Sequence, residues 1–191
     1  MLRILLLEEA PDRSRPVADT LEQLGHTIVG SLRDIAQLVA QTRRLSPDAI
    51  IVVTRSPGDA PLEALRAITQ SVPRPILIFS DDPGRERIVA AVHAGASAYV
   101  VGPLTSERLA PVLDAAIARF EQLQAARAEA DAAKAQLGER KLVERAKGIL
   151  MKSRKLSEDD AYRAMRKQAM DHKVKLTEVA RQIIAVADLL G

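Results

Sequence analysis

Apolar residues in the first 120 positions fall into short continuous runs separated by amphipathic stretches. The runs are Ile4–Leu7, Thr27–Val29, Ala49–Val53, Ile76–Phe79 and Ala98–Val101. Continuous runs, rather than alternation, are the pattern of strands covered on both faces. Between them the spacing is helical: Val17, Leu21 and Leu24, then Ile35, Leu38 and Val39, then Leu62, Leu65 and Ile68, then Ile88, Val89 and Val92. Turn-forming clusters such as Ser46-Pro47-Asp48, Ser56-Pro57-Gly58 and Asp82-Pro83-Gly84 divide the segments. Strands alternating with helices predict an α/β domain over residues 1–120, built on a doubly wound five-stranded parallel sheet. Its last helix should run from Leu104 to Phe120.

Residues 114–136 contain no Gly or Pro, and 10 of the 23 are Ala, a strongly helix-favouring composition. Leu109, Ala116, Leu123, Ala130 and Leu137 recur every seven residues, with Ala126 and Ala133 beside them. This predicts a helical connector that pairs two copies of the chain as a short coiled coil and makes a homodimer. A single solvated spacer helix is the other reading, kept open by Arg127 and Lys134 near the seam.

Residues 137–191 predict an all-α module of three helices. The first covers roughly Arg140 to Arg154. The second follows Ser157, a good N-cap, with Glu158, Asp159 and Asp160 in the first turn where the helix dipole favours acids. The third begins near Thr177. Leu142, Ala146, Ile149 and Leu150 form one apolar stripe and Ala161, Tyr162, Met165 and Ala169 another. The third helix offers Val179, Ala180, Ile183, Val186, Ala187 and Leu190, with Ile184 widening the face.

Charge separates the two halves. From 137 to 191 there are 13 Lys or Arg against 8 Asp or Glu, and within 140–167 the ratio is 10 to 4, although the whole chain is only +3. A compact basic tail on a near-neutral body is the footprint of a nucleic-acid binder, or else of a solvated helical face. Lys141, Arg145, Gly148 and Lys152 are spaced i, i+4, i+7, i+11. Arg140, Lys147, Met151 and Arg154 make an adjacent stripe, and Arg163, Arg166 and Lys167 lie together on the second helix. Gly148 in mid-helix points to close helix packing or to close approach by a phosphate. Tyr162 serves either core packing or base stacking.

Several classes of function fall away. The 191 residues include no Cys, which removes disulfides, thiolate zinc sites and cysteine nucleophiles. Aromatics are 2%, too few for a base-stacking sheet. No phosphate-cradling Gly-rich loop or nucleophile elbow occurs, and His26, His93 and His172 are far apart, so neither an enzyme, a cofactor nor a metal centre is expected. Glu8 and Glu9 follow the first apolar run at once, so that run reads as a strand rather than a signal peptide. No run is long enough to cross a membrane, and the expected location is the cytoplasm.

In a doubly wound sheet the functional edge lies at the carboxyl ends of the strands. There the first 120 residues resemble the receiver domain of two-component response regulators. That family carries an acidic pair after strand one, a phosphate-accepting Asp ending strand three, Ser or Thr after strand four, and Lys before Pro after strand five. Glu8 and Glu9 match the acidic pair, read either as solvated or as oxygen ligands for a divalent cation. Ser80 matches the hydroxyl, and Pro103 the Pro. Val53 stands where the acceptor belongs and Gly102 where the Lys belongs. Valine has no oxygen to phosphorylate and glycine no charge to neutralise an acyl phosphate, so the resemblance implies a degenerate phosphorylation pocket. Asp48, expected to open a strand at its far end, and Asp59, expected in a loop, are not substitutes.

Arg145 to Met151 (RAKGILM), Ser157-Glu158 with Ala161-Tyr162, Ala169-Met170, and Leu176 to Ile184 (LTEVARQII) resemble the ANTAR domain, the RNA-binding module of certain transcription antiterminators. With the front half, the chain resembles antiterminators of the NasT/AmiR type. FSDD (79–82), GASAYVV (95–101) and the stretch from Leu104 to Leu113 lean toward the nitrate-responsive branch. The resemblance implies binding to stem-loops in leader mRNA, which prevents a terminator hairpin, and control by a cytoplasmic NasS-like nitrate or nitrite sensor instead of a kinase. Lys141, Arg145, Lys147, Gly148, Lys152, Tyr162, Arg163, Arg166 and Lys167 are the residues expected at the RNA. A DNA-binding response regulator and a protein-interaction adaptor are the alternatives.

Overall fold

A computed structural model describes residues 1–102 and 106–190. The chain divides into two compact units, 1–124 and 125–191. Each is described by itself below. Pro103 and Leu104, singled out above, lie outside the described residues.

The first unit holds five strands, β1 (Arg3–Glu8), β2 (Thr27–Leu32), β3 (Ala49–Val53), β4 (Ile76–Ser80) and β5 (Ala98–Val101). All pairings are parallel, in the order β2-β1-β3-β4-β5. The helices between them are α1 (Pro11–Gln23), α2 (Leu38–Leu45, preceded by the 3₁₀ turn Ile35–Gln37), α3 (Asp59–Ser71) and α4 (Arg85–Ala94). The front of α5 (Ser106–Arg154) completes the set.

Side-chain alternation along each strand builds two cores. Leu5, Leu7, Ile50, Val52, Ile76 and Ile78 face α2, α3 and α4, where Leu38, Leu62, Leu65, Ile68 and Ala91 meet them. Ile4, Leu6, Ile51, Val53, Leu77 and Phe79 face the opposite way, toward Val17 and Leu21 of α1 and Leu109, Leu113 and Ala116 of α5. β3 and β4 are buried throughout, which is why their apolar runs are unbroken. β2 is longer than its apolar run. It continues through Gly30, where a Cβ would lie 2.8 Å from Leu45 Cδ1 and 3.1 Å from Leu5 Cδ1. The β1–β2 register shifts between Ile4 and Leu5, so a bulge accompanies that close approach.

α5 is one helix of 49 residues. The separate start expected near Arg140 does not occur: Gly138 costs only about 1 kcal/mol in a helix interior, and its Ala-rich surroundings outweigh it. Leu109 and Ala116, counted above in the heptad seam, are instead buried against the sheet. Only Leu123, 48% exposed, and Leu137, 55% exposed, remain free for a seam, with Ala126, Ala130 and Ala133 between them.

In the second unit the end of α5 packs with α6 (Glu158–Asp171) and α7 (Leu176–Leu190). Ser157 caps α6 as expected, its Oγ accepting the Asp160 N–H at 3.2 Å. Ala146, Met165, Ala169, Val179, Ala180 and Ile184 form the core. Two expectations are corrected. Val186 is 55% exposed, because α7 turns Ile184 inward and leaves Val186 at the rim of an apolar cleft of about 480 Å³. Tyr162 is 42% exposed and sits outside the core that holds the rest of its stripe.

Candidate nucleic-acid interface

The carboxyl edge of the sheet brings together Glu8, Glu9, Val53, Ser80 and Gly102, and β1 and β3 pair Glu8 directly with Val53. The Val53 side chain is 1% exposed and packs in the α1/α5-side core. Its carbonyl accepts the N–H groups of Glu9 and Ala10 at 3.0 and 3.2 Å. Glu8 accepts a hydrogen bond from Ser31 Oγ, and Glu9 is exposed. Among the described residues, no three His, Cys, Asp or Glu side chains gather as metal ligands would.

Ser80 is fully occupied. Its Oγ donates to the Arg55 carbonyl at 3.0 Å and accepts the Asp82 N–H at 3.1 Å. Gly102 has φ +91, the left-handed region that favours glycine, and its N–H donates to the Ser80 carbonyl at 3.0 Å. Asp82 accepts from Ser56 Oγ at 2.6 Å and from the Gly84 N–H at 2.7 Å, and these bonds hold its carboxyl below its ordinary range. The Tyr99 hydroxyl donates to the Asp82 carbonyl at 3.0 Å, and burial pushes its pKa up. Asp48 sits at the opposite end of the sheet, where its carboxylate accepts the Arg3 N–H at 2.8 Å. Asp59 opens helix α3 rather than lying in a loop, and pairs with Arg87 at 3.0 Å.

The basic residues of the second unit divide into tied and free groups. Lys147 was expected on the outward face and lies inward instead, 8% exposed. Its Nζ is 2.8 Å from Glu144 Oε2 and 2.6 Å from Glu158 Oε1. Glu144 and then Glu158 raise the Lys147 pKa, and Lys147 in turn lowers that of Glu158. Arg145 is exposed but bound to Asp188 of α7 at 2.8 and 3.1 Å. Lys141, Lys152, Arg154, Arg163, Arg166 and Lys167 are exposed, with no ion pair among the described residues.

These pairs orient the two α5 stripes. Successive helical residues turn by about 100°, so Arg145 and Lys147 are about 200° apart. Arg145 is held by α7 and Lys147 by α6. The stripe Lys141–Arg145–Gly148–Lys152 therefore borders α7. The stripe Arg140–Lys147–Met151–Arg154 borders α6, where Arg163, Arg166 and Lys167 stand. Gly148 is corrected as well: a Cβ there would meet nothing within 4 Å, so close helix packing is not its reason.

Arg140 also lines a shallow hollow of about 490 Å³ with Gln136, Glu139, Tyr162, Lys175 and Thr177. The sequence reading missed Lys175 in this group. Its position just before α7, four residues before the core residue Val179, was the available clue.

No helix is long and apolar enough to cross a membrane. Residues 131–184 match the model of the ANTAR domain. Over 182 residues, 95% of this chain and 89% of the relative, the chain is 30% identical to the transcriptional regulatory protein PdtaR of Mycobacterium tuberculosis. A stretch of 53 residues, 28% of this chain and 13% of the relative, is 43% identical to the nitrate regulatory protein of Klebsiella oxytoca. The signal receiver domain of a modulated diguanylate cyclase from Desulfovibrio desulfuricans superposes with a TM-score of 0.57 at 18% identity. That match covers 64% of this chain and 98% of the other, and it establishes the receiver fold alone. A regulator matched along nearly its whole length, together with an ANTAR domain placed in the second unit, shows that the chain belongs to the ANTAR-domain transcriptional regulators of the PdtaR kind.

Proposed function

We propose that this regulator acts on RNA: it binds stem-loops in leader mRNA, and the bound hairpin excludes an overlapping terminator, so that transcription continues. The observation that carries this is the set of exposed cations on α6, Arg163, Arg166 and Lys167, which make no ion pair among the described residues and share their helix with the exposed ring of Tyr162. Free cations neutralise phosphates and release counterions, whereas the tied Lys147 is already neutralised. Lys141 and Lys152 extend the positive field on the other flank of α5, with Arg145 available only by leaving Asp188.

Control falls to a protein partner rather than a kinase, since Val53 offers no phosphoryl acceptor and Gly102 no cation. A cytoplasmic nitrate or nitrite sensor of the NasS-like type is the partner this reading names; the partial likeness to a nitrate regulatory protein bears on the nitrate response alone. Leu123, Ala126, Ala130, Ala133 and Leu137 form the seam of a homodimeric coiled coil, and the protein works in the cytoplasm.

The test is a binding comparison at moderate salt between a leader stem-loop RNA and duplex DNA of the same sequence. The stem-loop should be preferred. The R163E/R166E/K167E triple variant should weaken binding and flatten the salt dependence by about three phosphate contacts. Preference for the duplex DNA would replace this reading with that of a DNA-binding response regulator.

A further inference from the structure

We infer that the hollow around Tyr162 is a seat for one unpaired nucleobase, stacked on the tyrosine ring, with its flanking phosphates held by Arg140 and Lys175. This rests on the RNA reading above and names the part of the RNA that enters. Tyr162 is 42% exposed, while its stripe-mates Ala161, Met165 and Ala169 are buried. Its hydroxyl makes no hydrogen bond among the described residues, so neither core packing nor internal bonding accounts for its position. The ring lines a hollow of about 490 Å³ together with Arg140 of α5 and Lys175, just before α7, neither of which makes an ion pair among the described residues.

The other lining groups sort the ligand. Gln136 offers an amide donor and acceptor, Thr177 a hydroxyl, and Glu139 and Glu144 carboxylates, the second already paired with Lys147. A carboxylate repels a phosphate but accepts from an exocyclic amine, so the base edge belongs on the Gln136/Glu139 side and the backbone on the Arg140/Lys175 side. A base within a duplex is already stacked on both faces and cannot present one to Tyr162, so the ligand is a nucleotide of a loop or bulge.

The chain has no Trp and two Tyr, Tyr99 and Tyr162, so the full-length Y99F variant reports on Tyr162 alone by its fluorescence. The probes are a stem-loop RNA enriched on the wild-type chain from a randomised-loop pool, and a fully paired RNA of the same stem. The stem-loop should quench Tyr162 emission as it binds, and the paired stem should not. Y162A should weaken stem-loop binding about tenfold, the order of one lost base stack, and leave paired-stem binding unchanged. Y162F should retain most of the affinity, and K175E should weaken binding and reduce the salt slope by about one. Saturating stem-loop binding with unchanged Tyr162 emission, or a Y162A variant that binds as wild type does, would overturn the seat and leave the RNA reading standing. Failure of the wild-type chain to bind any RNA would remove both.

Discussion

Lys147 of α5 and Glu158 in the first turn of α6 meet in a 2.6 Å ion pair, and Lys147 is the one buried charged side chain among the described residues. The pair fastens the start of α6 to α5. Lys147→Glu would place a third carboxylate beside Glu144 and Glu158. It should lower the thermal midpoint of the second unit, whereas Lys152→Glu, at an exposed site, should leave that midpoint nearly unchanged. The exchange K147E/E158K should recover part of the loss. Equal midpoints for K147E and K152E in a melting experiment would contradict this role.

The same pair sets a pH dependence. The Glu158 pKa in the folded chain lies below its ordinary 4.5 because Lys147 hydrogen-bonds the carboxylate. Its contribution is present above pH about 4.5 and fades as the pH falls through the folded value. The Lys147 pKa is raised above 10.5, so its contribution is present below that pH and fades as the pH rises through the higher folded value. Urea midpoints of wild type and Glu158→Gln should differ at pH 7 and converge toward pH 3. A difference that stays constant over that range would show that the carboxylate charge contributes nothing.

Gly138 and Gly148 lie inside α5 with open space where a Cβ would go. Replacing either with Ala should stabilise the helix by about 1 kcal/mol, read from urea unfolding. If RNA backbone approaches Gly148 closely, G148A will gain stability and lose affinity, while G138A gains stability without that loss. Equal binding by both variants would leave Gly148 no role at the RNA.

Val53 packs its side chain among buried neighbours at the place where the receiver family carries an acceptor. Val53→Ala should cost about 2 kcal/mol for two lost methyl groups and the space they leave. Incubation of the wild-type chain with acetyl phosphate should leave its intact mass unchanged. A gain of one phosphoryl mass would place an acceptor at a residue other than Val53.

The exposed pair Leu123 and Leu137 should carry self-association. L123D/L137D should shift sedimentation from dimer to monomer without loss of helicity, since neither side chain is buried within the chain. A wild-type chain that sediments as a monomer, or unchanged sedimentation of the variant, would contradict the proposed seam.

The strands, the helices between them and the Ser157 cap were legible because each depends on neighbours in sequence: hydrophobic period, turn residues, and a hydroxyl three residues before an N–H. The inward turn of Lys147 was not legible. Its partner Glu158 lies 11 residues on, beyond the α5–α6 turn, and a lysine in a basic run looks the same whether an acid folds back on it or not. Leu109 and Ala116 fit a seven-residue repeat and a sheet-covering face equally well, and only the packed sheet decides between them. The hollow at Tyr162 escaped notice for the same reason, since it is assembled from three helices.

A valine at the tip of β3 also removes a clock. An acyl phosphate carries its own lifetime, ending when water cleaves it. With a hydrocarbon in that place, no decaying bond at Val53 can limit how long an active state persists, and under the partner control proposed above, duration would pass to the residence time of that partner.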